Sequence, residues 1–274
     1  MNCSRISKWV GGVEGWLDPP GCETEFTTQP GDERSSCTIG IVHEHRFAFY
    51  YWALNSLEKG KHDPRPVLIT LDSHDDVGVP DEVDVEDLDN LSIGNRTELG
   101  LFAWTCLRRL NDGHILPALY LNFFSDVYVL MNYDEDSEDF KSFHEAQQQN
   151  DRDGNIHTVR YYQHLDRLLH DLPPDSPVFL DVDLDFFADD NSEEGLLGSE
   201  QLKSDSFISS FLSIDSPLLE PLLNRIVGVT IALEPRYCGG LLNSLHVLDI
   251  LNRELFNGTL CTHECKWKVA KQVQ

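Results

Sequence analysis

"PVLITLDSHDD" (66–76) is an apolar, β-branched run of strand length that ends abruptly in Asp72, His74, Asp75 and Asp76. "PVFLDVDLDFF" (177–187) repeats the pattern with Asp181, Asp183 and Asp185. An ionised carboxylate taken out of water without a partner is strongly destabilising, so a buried strand does not carry such groups idly. A strand that delivers several acids at its C-terminal end is aiming them at a cation. In an open parallel sheet that end is also where ligand crevices form. The two-residue period of a strand puts Asp72, His74 and Asp76 on one side, and Asp181, Asp183 and Asp185 likewise.

Working outward, strands alternate with helical patterns. "CTIGIV" (37–42), "DVYVLM" (126–131) and "VGVTIAL" (227–233) read as further strands. Residues 44–59, 97–110, 158–171 and 217–225 read as helices, and 75–90 as an acidic loop. After "PRYCGG", Leu241, Leu245, Leu248 and Leu255 mark an amphipathic helix. This alternation predicts an α/β protein with three α/β/α layers and a mostly parallel sheet. No repeat or low-complexity linker divides the chain, so 1–274 reads as one domain. Residues 1–36 read as an irregular N-terminal extension, and 132–157 as an acidic surface insertion.

The 274 residues carry 21 Lys+Arg against 47 Asp+Glu, a formal charge of −26. That balance speaks against nucleic acid or an anionic membrane as a partner, since both need a basic surface. The N-terminus "MNCSRISKWVGGVEGW" has no signal-peptide hydrophobic stretch and no apolar run is long enough to span a bilayer, so the expected location is cytoplasmic. Seven Cys at scattered spacing fit reduced thiols better than a disulfide framework. Cys261, His263 and Cys265 in "LCTHEC" lack a second pair to close a tetrahedral zinc site.

Further strand ends add His43, Glu44 and His45 after the first strand and Glu234 after the last. One Asp-rich strand end alone is more often a cap or a solvated turn. Two such phrases, together with His45 and Glu234, favour a site for a hard or borderline ion such as Mn²⁺.

"LDSHDD" resembles the Asp-Ala-His-x-Asp motif of the arginase, agmatinase and histone-deacetylase superfamily, with Ser73 in place of Ala. "FLDVDLDFF" is similar to its Ser-Phe-Asp-Val-Asp segment, "VHEH" to its Gly-Gly-Asp-His motif, and "ALEP" to the strand-end Glu that binds a guanidinium. With "LNDGHILPA" and "SDVYVL", the wording resembles the divergent peptide arginase branch. The likeness spans about residues 37 to 240. It implies two Mn²⁺ ions, one held by His45, Asp72, Asp76 and Asp181, the other by His74, Asp72, Asp181 and Asp183. His43 is the competing choice for the first ligand. Ordinary arginases carry a proton-shuttling His in a Ser-Gly-Asn-Leu-His segment, and "SIGNRTELG" (92–100) has none. His114 is then the substitute proton donor, although a lone His before an apolar run is more often a core or capping residue. Asn95, Asn111 and Glu234 are the expected substrate contacts. Asp185 is left between supporting the site and facing solvent.

The resemblance implies a hydrolase of a linear amidine C–N bond that converts arginine side chains of a precursor peptide to ornithine, releasing urea. A ureohydrolase of free arginine, agmatine or another small guanidino compound is the first rival, and a non-catalytic acidic binding protein with a vestigial site the second. A haloacid-dehalogenase-type phosphatase would need a downstream Lys and a Gly-Asp-x-x-x-Asp segment, which the chain lacks in the right order. A homo-oligomer is compatible with all of these.

Overall fold

The computed structural model describes residues 18–30, 32–58, 64–79, 82–108, 110–132, 146–189, 200–262 and 264–268. Its strands are β1 (Glu23–Gln29), β2 (Asp32–Val42), β3 (Val67–Asp72), β4 (Val127–Met131), β5 (Gln147–Asn150), β6 (Ile156–Tyr162), β7 (Val178–Asp183), β8 (Ala188–Asp189), β9 (Gln201–Leu202) and β10 (Ile226–Ala232). Eight of them form one sheet in the order β1-β2-β10-β7-β3-β4-β6-β5, while β8 and β9 pair separately. The six central strands run parallel; β1 and β5 close the edges antiparallel.

Helices cover both faces, which makes the fold a three-layer α/β/α sandwich, as the alternation predicts. On one face lie α1 (Ala48–Glu58), α3 (Arg96–Thr105) and α4 (Ile115–Tyr120), packed on Leu68, Val129 and Phe179. On the other lie α5 (Leu165–Asp171), α6 (Asp205–Leu212) and α7 (Leu241–Leu255), packed on Ile69, Leu71, Leu180, Val182 and Ile231. Burial on both faces explains why β3 and β7 read as continuous apolar runs. The pleat sends Thr70 and Asp72, with Asp181 and Asp183, toward the α1 face. That helix approaches closely because Gly40 and Gly228 face it: a Cβ would overlap the Tyr51 ring at Gly40 and the Phe179 ring at Gly228.

Several local expectations change. Residues 23–36 are no irregular extension, since β1 and β2 form an edge hairpin; residues 1–17 lie outside the described residues. The second half of the 132–157 insertion enters the sheet as β5 and the start of β6, and residues 133–145 lie outside the description. The helix expected over 158–171 is strand β6 followed by α5, because Thr158, Val159, Tyr161 and Tyr162 are β-branched or aromatic and residues 159–162 pair with β4. The acidic loop contains a short helix, α2 (Glu82–Asp89). Residues 217–222 are turns leading into a 3₁₀ turn, Leu223–Arg225, and α6 with its Ser204 N-cap is a helix that the sequence pattern above does not include. In α7 the buried side is Val247, Ile250, Leu251 and Leu255, whereas Leu241 and Leu245 are exposed. Cys22, Cys37, Cys238, Cys261 and Cys265 are free thiols as expected, Cys106 is disulfide-bonded against that expectation, and Cys3 lies outside the described residues. Among the described residues no helix is long and apolar enough to cross a membrane.

Candidate metal centre

Sheet register sets the depth of each acid. Thr70 of β3 and Thr230 of β10 both pair with Asp181, forming one row across three strands. The same register, which pairs Leu71 with Val182 and Ala232 with Asp183, carries Asp72 to the level of Asp183. Asp181 therefore lies one pleat period, about 6–7 Å, deeper than the Asp72–Asp183 row.

His45 arrives from the 3₁₀ turn His45–Phe47 that follows β2, and it is fully buried. Its Nε2 lies 2.7 Å from Asp181 Oδ2. Its Nδ1 faces Asp76 Oδ2 at 2.8 Å, Asp183 Oδ2 at 3.0 Å and Asp72 Oδ2 at 3.2 Å. His74, the exposed member with a side chain 46% accessible, places Nδ1 3.0 Å from Asp185 Oδ2 and 3.7 Å from Asp72 Oδ1. Asp72 thus turns one oxygen toward each histidine. Two groups with metal-ligand spacing result, His45–Asp72–Asp183 and Asp72–His74–Asp185, with Asp76 and His114 beside His45 forming a third.

The electrostatics show what this cluster lacks. A carboxylate only accepts, so Asp181 requires the proton on His45 Nε2, and a neutral ring then turns a lone pair at three carboxylates. A second proton on Nδ1 could serve only one of the three. His45 Nδ1, Asp72 Oδ2 and Asp185 Oδ2 are all buried without a hydrogen-bond partner. Burial drives Asp76, Asp183 and Asp185 toward the protonated form, reinforced by neighbouring carboxylates. Burial acts the same way on Asp72, but the His45 and His74 rings beside it outweigh it and hold that carboxyl low. Burial would lower the His45 and His74 values, yet the surrounding Asp side chains raise both. Shared protons or bound cations must relieve such crowding, and orphaned N and O atoms converging from three chain segments have the spacing to hold a metal ion.

Asp76, Asn111 and Glu234 each hold a left-handed backbone, with φ of 49°, 63° and 34°. Such strain in non-glycine residues is maintained only where the surroundings fix it, and here three cases meet in one place. Glu234 Oε1 accepts from the His45 backbone N–H and, at 2.6 Å, from Asn111 Nδ2. Burial pushes the Glu234 carboxyl up to about 7, against the His45 N–H, which lowers it. Asn111 Oδ1 is a buried acceptor with no partner. Glu234, Asn111 and Tyr237 line both the pocket over the cluster and an adjoining cleft of about 510 Å³, which His43, Glu44, Arg46, Trp104, Pro235 and Arg236 complete.

The expected site residues divide accordingly. His45, Asp72, His74, Asp76, Asp183, Asn111 and Glu234 come together, and His43 stands apart in the outer cleft. Asp181 is not among the clustered ligands: its oxygens are taken by Thr70, Thr230 and His45, and Asp185 stands where a second ligand of that strand was expected. Asn95 is not at the site. It is the N-cap of α3, accepting from Thr97 N and Glu98 N and donating through Nδ2 to Glu98 Oε1, a variant of the capping box that stands in the sequence as Asn-Arg-Thr-Glu. His114 sits behind His45, ring centroids 4.3 Å apart, and stacks on Trp52. It is fully buried, lines neither cleft, and is pushed well below the usual histidine range by burial and by His45, so its place does not suit a proton donor to substrate. Cys261 and Cys265 enter no ligand group among the described residues, and His263 lies outside them. No family model and no curated protein matches the chain.

Proposed function

We propose that this chain is a metal-dependent hydrolase that converts arginine side chains of a peptide to ornithine and urea. The observation that carries the reading is the juxtaposition of a buried ligand set with orphaned donor atoms and a strained, half-satisfied Glu234 at the mouth of an open cleft.

His45, Asp72, Asp76 and Asp183 would hold one ion, and His74, Asp72 and Asp185 a second. Mn²⁺ suits a set of carboxylates and imidazoles without sulfur. Such ions, when bound, would supply Lewis-acid activation of water near neutral pH. The remaining work belongs to the chain. Glu234 keeps Oε1 occupied by His45 and Asn111, leaving Oε2 to pair with a guanidinium N–H. Asn111 Oδ1, a buried acceptor with no hydrogen-bond partner, accepts from a second guanidinium nitrogen. Together they present the guanidinium carbon to the cluster, the orientation that makes attack effectively unimolecular. Water adds to that carbon, the bond from it to the arginine Nε breaks, that nitrogen leaves as the protonated amine of ornithine, and urea departs.

The open cleft beyond Glu234 favours a peptide over a free amino acid, because it gives the chain on either side of the arginine somewhere to lie. The nine acids and absent Lys or Arg between Asp72 and Asp89 also suit a cationic substrate. The test is mass spectrometry of arginine-containing peptides, where hydrolysis with loss of urea lowers the mass by about 42 Da per arginine. Turnover of an arginine amidated at both ends is expected. Turnover of free arginine alone would move the assignment to a small-molecule ureohydrolase, and no turnover of any guanidino compound would leave the binding-protein reading.

A further inference from the structure

The Asp181 carboxylate is fully buried, and every contact it makes is with a donor. Oδ2 accepts from Thr70 Oγ1 at 2.8 Å and from His45 Nε2 at 2.7 Å; Oδ1 accepts from Thr230 Oγ1. Trp52 Nε1 lies 3.1 Å from Thr230 Oγ1. An indole N–H can only donate, so Thr230 accepts from Trp52 and its own proton is free for Asp181. The hydrogen-bond direction is therefore fixed from Trp52 on α1, through Thr230 on β10 and Asp181 on β7, to the His45 ring.

We infer that Asp181 is a positioning residue: it takes the His45 Nε2 proton and so locks the imidazole with its Nδ1 lone pair turned to Asp72, Asp76 and Asp183. This rests on the reading that the cluster holds divalent metal. The geometry separates Asp181 from the ligands by register, since it is level with two threonines rather than with Asp72. A carboxylate that fixes the tautomer of a ligating imidazole strengthens that ligand, and loss of such a partner costs roughly 10–100-fold in metal affinity.

Asp181→Asn preserves shape but replaces one acceptor oxygen with an NH₂ group. Three donors then face one oxygen, and an amide N–H directed at Nε2 would move the ring proton to Nδ1, the atom that must ligate. The experiment uses the full chain and Zn²⁺ as a diamagnetic probe, with affinities from chelator competition and ring-nitrogen protonation from ¹⁵N-edited NMR. In the zinc-loaded wild type, His45 Nε2 carries the proton and Nδ1 does not. Asp181→Asn weakens the ion on the His45 side about 10–100-fold and leaves the ion on the His74 side as it was, a selectivity that general loosening of the fold would not produce. Equal affinity for both ions in Asp181→Asn, or a wild-type His45 with its proton on Nδ1, overturns the inference while the metal centre stands. Failure of the wild type to take up zinc removes the metal reading and this inference with it. Should Asp181→Asn not fold, the wild-type ring-nitrogen spectrum decides alone.

Discussion

Replacing Glu234 with Gln separates two roles of one side chain. Glu234 is 3% exposed, and its carboxyl is raised from 4.5 to about 7 by burial, opposed by the His45 backbone N–H. A carboxyl whose folded value exceeds its unfolded value binds more protons in the folded state. Stability from this source is thus full below about pH 4.5 and falls as pH rises to about 7, where the loss levels off. At about 1.4 kcal/mol per unit, a shift of roughly 2.5 units makes the ionised form destabilising by about 3 kcal/mol. Gln has the same shape and no charge to bury. In protein stripped of metal, Glu234→Gln should therefore melt roughly 6–12 °C above wild type at pH 8 and level with it at pH 4.5. The assay is thermal unfolding of both proteins in chelator across that pH range. With metal restored, the same substitution should keep the ions yet lower kcat/KM by roughly 10²–10³-fold, the cost of removing one charged partner from a desolvated pair, about 3–4 kcal/mol. Parallel melting curves at every pH would refute the claim that Glu234 is held ionised at a cost, and metal loss in Glu234→Gln would make it a ligand instead.

Asp185→Ala should lose the ion on the His74 side and keep the one on the His45 side, read by elemental analysis; retention of both would return Asp185 to a supporting role. Asn95→Ala should cost about 1 kcal/mol of stability by removing the α3 cap, with kcat/KM unchanged; a drop in activity without a stability change would put Asn95 back among the substrate contacts. Gly228→Ala should destabilise by roughly 1–3 kcal/mol, measured by denaturant unfolding, because its Cβ overlaps the Phe179 ring under α1.

The layer architecture was legible because β3 and β7 are apolar on both faces, and only a sheet covered twice asks for that. The edges were not. β5 is Gln147–Asn150, all polar, and gains its strand conformation from pairing with β6 rather than from its own composition. In the site, strand periodicity groups Asp181 and Asp183 on one side, but it does not reach Asp185, which lies in the 3₁₀ turn Leu184–Phe187 after β7, and it cannot say which acid is level with Asp72. That depends on how β3 and β7 are staggered, a tertiary fact fixed by rows such as Thr70–Asp181–Thr230. The family resemblance named Asp181 and Asp183, whereas the groups with metal-ligand spacing contain Asp183 and Asp185. Asn95 is different, since Asn-Arg-Thr-Glu ahead of "LGLFAW" is a capping signature visible in the sequence itself. The left-handed backbones of Asp76, Asn111 and Glu234 left no sequence signal, because Asp and Asn are common in turns and Glu234 has no local reason for its conformation.

The central claim is that the cluster around His45, Asp72, His74, Asp183 and Asp185 is a divalent-metal centre. Elemental analysis of the full chain, purified without chelator and then dialysed with and without it, tests this directly when paired with urea release from an arginine peptide. The account predicts two divalent ions per chain, Mn²⁺ the most effective, with both metal and urea release abolished by chelator and restored on reloading. A chain that binds no divalent ion at saturating concentration, or that releases urea undiminished in chelator, would contradict it.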